Sequence, residues 1–341
     1  MRRFVTLVAA AVATALLAAC GGGSGSATTA SGPTIPLRIA TAAPTSALLP
    51  WYVAADKGFF KEEGLDTSFV TVASGSAMMP ALTANQVDVV SSALATEVGI
   101  HQGGAPLKVL TGWTVGYNYA LYFRNGVNVP ASGSFAEKMA ALNGKTIGVQ
   151  GGGEGVTAPF LKAIIAEGGG DPASVNFANV AFGGPQVAAL QSAQVDAVLA
   201  DDSTMATADQ LKLGARYFSL LNDSPAELKD MFISGAAVRE SFTTQHADLA
   251  GRFQNAMVKT VAWIKDPANA DELRDIATGS LGLPNTPTLP QQLTVLASTL
   301  EPKGDRARLE KSLDFLYSSG QVKPQPRLTV DQLFDPGMIT G

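Results

Sequence analysis

Apolar and polar positions along the chain fall into three regimes. Residues 4–19 are an unbroken run of apolar and small side chains in which only Thr6 and Thr14 are polar, preceded by Arg2 and Arg3. The run is shorter than the roughly 20 residues that a spanning helix needs, so a positive start followed by an apolar stretch reads as a secretory signal. Residues 21–34 (GGGSGSATTASGPT) carry no apolar period. Such a composition buries nothing and behaves as flexible coil with a reach on the order of 20 Å. Beyond it, short apolar runs alternate with helical periods. Residues 36–41 predict a strand, 46–58 a helix and 65–72 a second strand, a β-α-β unit. A helix opening near Gly75 and Ser76 and a strand over 87–91 follow, and a second run of the same kind begins at 145–149 (KTIGV). No later stretch reaches 18 consecutive apolar residues, so nothing else is expected to enter a bilayer.

The two runs are copies. At an offset of 108 residues, Ile39 aligns with Ile147, Gly75 with Gly183, Ala81 with Ala189, Leu82 with Leu190, Gln86 with Gln194, Val87 with Val195 and Asp88 with Asp196. An ungapped A-L-x-x-x-Q-V-D match at equivalent places in two β-α-β runs predicts one α/β lobe per copy. Residues 119–124 (YALYFR) read as a strand leaving the first lobe and 231–238 (MFISGAAV) as one returning to it. Leu249, Phe253, Met257, Val261 and Ile264 recur at three- and four-residue spacing, which predicts a helix packing one apolar stripe on the first lobe. The expected organisation is lobe 1 over 35–118 plus 225–341 and lobe 2 over 119–224, with two crossing segments as the hinge.

Composition narrows the function classes. With 46% hydrophobic and 16% charged residues the chain is globular rather than disordered, and 35 Gly with 19 Pro suit a loop-punctuated α/β protein. The balance of 24 basic against 29 acidic residues, a net −5, argues against a nucleic-acid partner. One Cys and two His build neither an internal disulfide nor a Cys/His zinc site, and no metal site is expected. The single cysteine closes Leu17-Ala18-Ala19-Cys20 ahead of Gly21, and this resembles the bacterial lipobox. That resemblance implies a signal peptide over 1–19, a lipidated Cys20 heading a tether over 20–34, and an exported chain held at the membrane facing the periplasm or cell exterior. Removing 1–19 leaves 22 basic and 29 acidic residues, a mature charge of −7.

Residues 54–66 read A-x-x-K-G-F-F-K-x-E-G-L-D. This resembles the solute-binding proteins of bacterial ABC importers, in the nitrate, sulfonate and taurine group to which binders of thiamine pyrimidine precursors are related. Gly75-Ser76, the two Q-V-D segments, residues 142–149 (LNGKTIGV) and Ala262-Trp263-Ile264 extend the likeness. The resemblance implies a type II periplasmic-binding fold, two lobes closing on a small-molecule solute, and ABC permease and ATPase subunits as partners. Many sulfonate-type binders carry an aromatic after the second V-D-A, where this chain has Leu199-Ala200-Asp201-Asp202. Lys57 and Lys61 read most simply as solvated helix-end cations, and Phe59 and Phe60 as a plug between helix and strand.

In open α/β sheets ligands sit beyond the carboxyl ends of the strands, where helix N-termini point. In lobe 1 this selects Thr45, Ser46 and Leu48 after the first strand, Gly75 and Ser76 after the second, and Ala93 and Thr96 after the third. In lobe 2 it selects Gly152, Gly153, Glu154, Gly155 and Thr157, then Phe182, Gly183 and Gly184, then Asp201, Asp202 and Ser203. Plain turns and N-caps would use the same residue types. Trp113, Tyr117, Asn118 and Tyr119 precede the first crossover, where the rings either stack on a planar ligand or pack the lobe interface. Acids (Glu97, Glu154, Asp201, Asp202) outnumber bases among these positions, which favours a cationic or hydrogen-bonding solute such as an aminopyrimidine, although helix N-termini alone hold a sulfonate.

Other chemistry fits poorly. Residues 153–158 match G-x-G-x-x-A, but the following strand (VNFANV, 175–180) lacks the acidic residue that would hold a ribose, and no G-K-[ST] follows. No G-x-S-x-G occurs; His101 sits at a helix end and His246 near the start of the late helix. Adjacent Asp201 and Asp202 would not both face one substrate from a helix or strand. The expectation is a monomeric, non-catalytic binding protein without cofactor. The alternatives are an enzyme on the same fold acting on a small heterocycle, or a ligand-binding sensor partner.

Overall fold

The computed structural model describes residues 33–41, 46–72, 75–154 and 157–340. The expected signal peptide, Cys20, most of the tether, Thr45 and Gly155 lie outside these residues. Ten strands carry the frame: β1 (Ile35–Thr41), β2 (Leu65–Thr71), β3 (Val89–Ala93), β4 (Leu107–Val115), β5 (Ala120–Arg124), β6 (Thr146–Val149), β7 (Asn176–Asn179), β8 (Ala197–Ala200), β9 (Gly214–Ser219) and β10 (Phe232–Arg239). One sheet has the order β2-β1-β3-β10-β4 and the other β7-β6-β8-β5-β9. In each, the first three strands are parallel and the fourth is antiparallel to both neighbours. Each sheet takes its antiparallel strand from a crossing segment: β10 follows the whole second sheet, and β5 precedes β6.

Helices cover both sheets. The first run has α1 (Leu49–Asp56), α2 (Phe59–Glu62), α3 (Gly75–Thr83) and α4 (Leu94–Gln102). The second has α5 (Phe135–Ala140), α6 (Thr157–Glu167), α7 (Gly184–Gln191) and α8 (Asp202–Gln210), after which α9 (Leu220–Asp223), α10 (Ala226–Lys229) and α11 (Glu240–Gln245) flank the return. The C-terminal third holds α12 (Leu249–Lys265), α13 (Ala270–Thr278), α14 (Leu289–Thr299), α15 (Arg306–Ser318) and α16 (Val330–Leu333). Among the described residues no helix is long and apolar enough to cross a membrane.

Local chemistry explains where the elements depart from expectation. The helix expected over 46–58 is divided: a 3-10 turn spans Ser46–Leu48, Pro50 opens α1, and Gly58 at φ +76° ends it. The strand expected over 87–91 starts two residues later, because Asp88 is used as a clamp. Its amide donates to the Arg38 carbonyl at 2.7 Å, and its carboxylate accepts the Arg38 amide at 2.9 Å. The repeat reproduces this clamp. Asp196 donates to the Thr146 carbonyl at 2.8 Å and accepts its amide at 2.9 Å. An arginine on the antiparallel strand closes both clamps: Arg239 on Asp88 at 3.1 Å and Arg124 on Asp196 at 3.3 Å. The preceding turns match as well, with Asn85 at φ 60° and Ala193 at φ 56°.

The first core is built on the expected C-terminal stripe. Leu249, Phe253, Met257, Val261 and Ile264 are all buried in it, and the Phe253 ring lies 5.8 Å from both Trp51 and Phe60. Phe60 of the K-G-F-F segment is therefore a plug, whereas Lys57 is more than a solvated cation: it pairs with Glu272 at 2.7 Å and lies 5.0 Å over the Trp263 ring. The two crossing segments touch at Gly116. Its amide donates to the Met231 carbonyl at 2.9 Å, and a Cβ there would stand 2.7 Å from the Lys229 carbonyl. α15 links the two cores: Leu309, Leu313 and Leu316 are buried in the first, and Phe315 packs on the second, 5.4 Å from Phe160.

Candidate functional site

The carboxyl ends of the parallel strands in both sheets face a cleft, and two cavities lie in it. The inner one has a volume of about 280 Å³. Its first wall comes from β3, α4, β4 and β10: Ser91, Ser92, Ala93 and Ala95, with Trp113, Thr114, Ile233 and Ser234. Its second wall is Tyr117, Tyr119 and Thr157, and Gln321, just past α15, completes it. One side is thus a shelf of hydroxyls and the other is aromatic. Thr114 and Ser234 share a hydrogen bond of 2.6 Å across the β4–β10 pair, and Ser92 Oγ donates to Glu97 Oε1 at 2.9 Å.

The aromatic wall is rigidly backed. Tyr117 lies 3.7 Å from Phe160, and Tyr119 is stacked on Phe182 at 5.3 Å. Phe182 therefore supports the wall rather than lining the cavity. Burial pushes the Tyr119 hydroxyl up to about 12, and the Asp201 carboxylate adds to the effect. Burial likewise raises Tyr117, with Tyr119 adding to the rise and the Gln321 side chain partly offsetting it. Both phenols stay protonated and available as donors at neutral pH. Trp113 is only 3% exposed, donates its indole N–H to the Ala47 carbonyl at 2.9 Å and packs 4.2 Å from Trp51. Its ring both packs the lobe and lines the cavity.

The outer cavity, about 400 Å³, lies between α8 and the loop that leads into α14. Ser46, Asn118, Asp201, Asp202 and Ser203 face Thr286, Thr288 and Gln292 across it. Asn118 donates to Asp202 Oδ2 at 2.7 Å. Asp201 is the N-cap of α8 and accepts the Thr204 amide at 2.8 Å and the Ser203 hydroxyl at 3.0 Å. The expectation that adjacent carboxylates diverge is corrected here. Asp201 is extended and Asp202 opens the helix, so the change of backbone conformation between them brings both to one cavity.

The remaining candidates are dispersed. Leu48 is buried in the first core, and Thr96 is half-buried on α4; neither lines either cavity. Gly75 and Ser76 open α3, and Glu154 ends a 3-10 turn begun by Gly152. Gly152 sits at φ +62°, where a Cβ would stand 3.3 Å from Asn179, and Gly153 presents its carbonyl to Lys162 at 3.1 Å. The Gly183 amide is already taken by Thr204 Oγ1 at 2.9 Å, so it is not a free donor. Gly184 follows as the first residue of α7. His101 accepts the Leu107 amide on Nδ1 at 3.3 Å, and His246 packs its ring 4.8 Å from Phe242. Sequence reasoning missed Ser91, Ser92, Thr114, Ile233, Ser234 and Gln321. Alternation in 231–238 marked a strand but not which of its faces meets the cleft, and nothing near Gln321 signals its reach. Among the described residues no cluster of three or more His, Cys, Asp or Glu could hold a metal ion.

A family model described as NMT1/THI5 like matches residues 45–270. Among solved structures, the putative periplasmic sulfonate-binding protein of a Methylobacillus flagellatus sulfonate ABC transporter is 16% identical, with a TM-score of 0.68 over 89% of this chain and 92% of that one. The periplasmic nitrate-binding protein of Synechocystis is 14% identical, with a TM-score of 0.67 over 89% and 87%. The periplasmic aliphatic sulphonate-binding protein of Escherichia coli is 15% identical, with a TM-score of 0.65 over 87% and 98%. At these identities the likeness establishes the fold, a two-lobed α/β periplasmic-binding-protein architecture. No curated protein matches the chain.

Proposed function

The chain belongs to the NMT1/THI5-like family, and on that premise we propose that it is the solute-binding component of an ABC importer. The observation that carries this reading is the inner cavity, whose first wall is built on the first sheet and whose second comes from the crossing segment ahead of β5 and from α6 of the second run. A solute there touches both lobes only when they are closed, so binding shifts the open–closed equilibrium toward closure. The lobes in question are 35–118 with 225–341, and 119–224. Closure is then read by permease subunits driven by a separate ATPase, and the chain itself acts as a non-catalytic monomer without cofactor.

The lining supports a small hydrogen-bonding solute with a planar ring. Tyr117, Tyr119 and Trp113 offer faces and Ser91, Ser92, Thr114, Thr157 and Ser234 offer hydroxyls, while the carboxylates stand in the outer cavity, where they suit a positively charged group. An aminopyrimidine meets these demands better than a free sulfonate. Export and lipidation at Cys20 complete the role by keeping the chain beside its permease. A thermal-shift panel of small heterocycles and sulfonates on residues 35–341 tests the reading. A true solute at 100 times its Kd adds about 2.7 kcal/mol and is recovered unchanged, which separates binding from turnover. No shift with any member, or a chemically altered solute, would overturn it. Mass spectrometry of the membrane fraction should find a diacylglyceryl group on Cys20; a mature protein starting elsewhere rules out the anchor.

A further inference from the structure

Glu97 is a carboxyl without solvent exposure, placed in the first turn of α4 directly behind the hydroxyl wall. Its Oε1 accepts the Ser92 hydroxyl at 2.9 Å, and among the described residues its Oε2 has no partner. The sheet makes room for it. Gly235 lies opposite Ser92 in the β3–β10 pair, and a Cβ there would stand 2.5 Å from Val109 Cγ1 and 3.4 Å from Glu97 Oε2. A leucine would fill such a place without desolvating a carboxyl, so a half-satisfied one here is a costly choice that packing does not explain. Burial pushes the Glu97 carboxyl up to about 8, with the Ser92 bond partly offsetting, so at neutral pH it sits largely uncharged and needs no counter-ion; with Ser92 donating to Oε1, the carboxyl proton sits on Oε2 and Oε1 stays an acceptor.

A serine hydroxyl has one donor and two acceptor sites. Ser92 lines the cavity, and its one hydrogen is committed to Glu97. We infer that Glu97 is a positioning residue for the solute: by taking the Ser92 hydrogen it leaves Ser92 Oγ facing the cavity as an acceptor, so the first lobe selects solutes that present an N–H or O–H donor there. The inference rests on the solute-binding reading above.

Two isosteric probe pairs test it on the full chain by calorimetry: 4-aminopyrimidine against 4-methylpyrimidine, and aniline against toluene. Each pair is close in size and shape, and only the amino member carries an N–H donor; use of two rings of different basicity separates the donor from the ring nitrogens. The wild type should prefer the amino member by about tenfold, the worth of one well-placed hydrogen bond. Glu97→Leu and Ser92→Ala should each reduce that preference to about twofold, and the double variant no further. Glu97→Gln, whose Oε1 still accepts from Ser92, should retain most of it while Glu97→Leu, of similar bulk but without an acceptor, does not, a contrast that a purely packing role would not predict. Ser92→Ala breaks the same link from the cavity side and puts no new group into the buried site, so it serves should Glu97→Leu fail to fold. A preference unmoved in Ser92→Ala, or absent in the wild type, overturns the inference alone. Failure of the wild type to bind any of the four probes overturns the solute-cavity reading and this inference with it.

Discussion

Thr157 offers a test in which stability and affinity move in opposite directions. It opens α6, is 5% exposed, lines the inner cavity, and among the described residues its hydroxyl has no hydrogen-bond partner. Thr157→Val keeps the shape and the χ1 restriction and removes only the polar atom. A buried hydroxyl left unsatisfied costs about 1–3 kcal/mol. The hydroxyl oxygen is itself sealed from solvent although the residue lines the cavity, so in the free protein water does not offset that cost. Thr157→Val should therefore stabilise the unliganded chain by about 1–3 kcal/mol, read as a raised urea midpoint of tryptophan emission. If the solute takes over the hydroxyl on binding, the same change removes one neutral hydrogen bond and weakens 4-aminopyrimidine by about fivefold in calorimetry. A variant that loses more than 1 kcal/mol of stability and binds unchanged would refute the reasoning, because the hydroxyl would then be serving the fold and not the cavity.

The paired clamps give a second contrast. Asp88→Ala should cost about 3 kcal/mol in urea, since its carboxylate is 5% exposed and holds Arg38 and Arg239 together, whereas Asp196→Ala, at 27% exposure with a longer pair, should cost about 1 kcal/mol; equal losses would refute the burial argument. Burial opposes ionisation of Asp88, but the hydrogen bonds from Arg38 and Arg239 outweigh it and hold its carboxyl below the usual carboxylate range. That contribution is therefore present above about pH 4, the unfolded value, and is lost as the pH falls through the folded one, so the wild type and Asp88→Ala should converge in acid melts. At the alkaline end, Tyr119 should stay protonated past the usual phenol range and ionise near pH 12; stability is lost as the pH rises from about 10 through that value. Ultraviolet titration of Tyr119→Phe should lack that late step, and an unchanged curve would show that another phenol supplies it.

The frame was legible because its symmetry is written in residues that do one job twice. The Q-V-D match at 86–88 and 194–196 placed two lobes, and the structure shows why both need the aspartate: it clamps the first strand by amide and carbonyl together. The stripe from Leu249 to Ile264 was equally plain, since a helix buries one face whatever it packs against. The cleft was harder to read. Trp113, Tyr117 and Thr157 come together, but Asp201, Asp202 and Asn118 belong to a second cavity, because Tyr117, Asn118 and Tyr119 send alternate side chains to different sides. Period-2 alternation is visible in a sequence only when one side is apolar, and here both sides hold polar groups. Ser92, Ser234 and Gln321 were invisible for a related reason. A serine in a strand or a glutamine after a helix carries no signal of what it faces.

The two lobes share a frame and differ in electrostatics, and that difference locates the recognising edge. α4 and α8 occupy equivalent places in their sheets, α4 starting at the residue after β3 ends and α8 two residues after β8 ends. The N-cap of α8 is Asp201, whose carboxylate takes the Thr204 amide and places negative charge at that helix end. The N-cap of α4 is Ala93, which offers no side-chain cap and lines the inner cavity. The first lobe therefore presents the open helix end, and beside it Ser92 Oγ, turned outward by Glu97. A donor and an acceptor side by side match the edge of a neutral amide or amino-heterocycle, and a bare anion would satisfy only one of them. On this account, selectivity resides in the hydroxyl wall of the first lobe, while the aromatic wall of the second supplies contact area and closure. Variants on the first wall should alter which solute binds; loss of the Tyr117 or Tyr119 ring on the second should weaken all solutes alike.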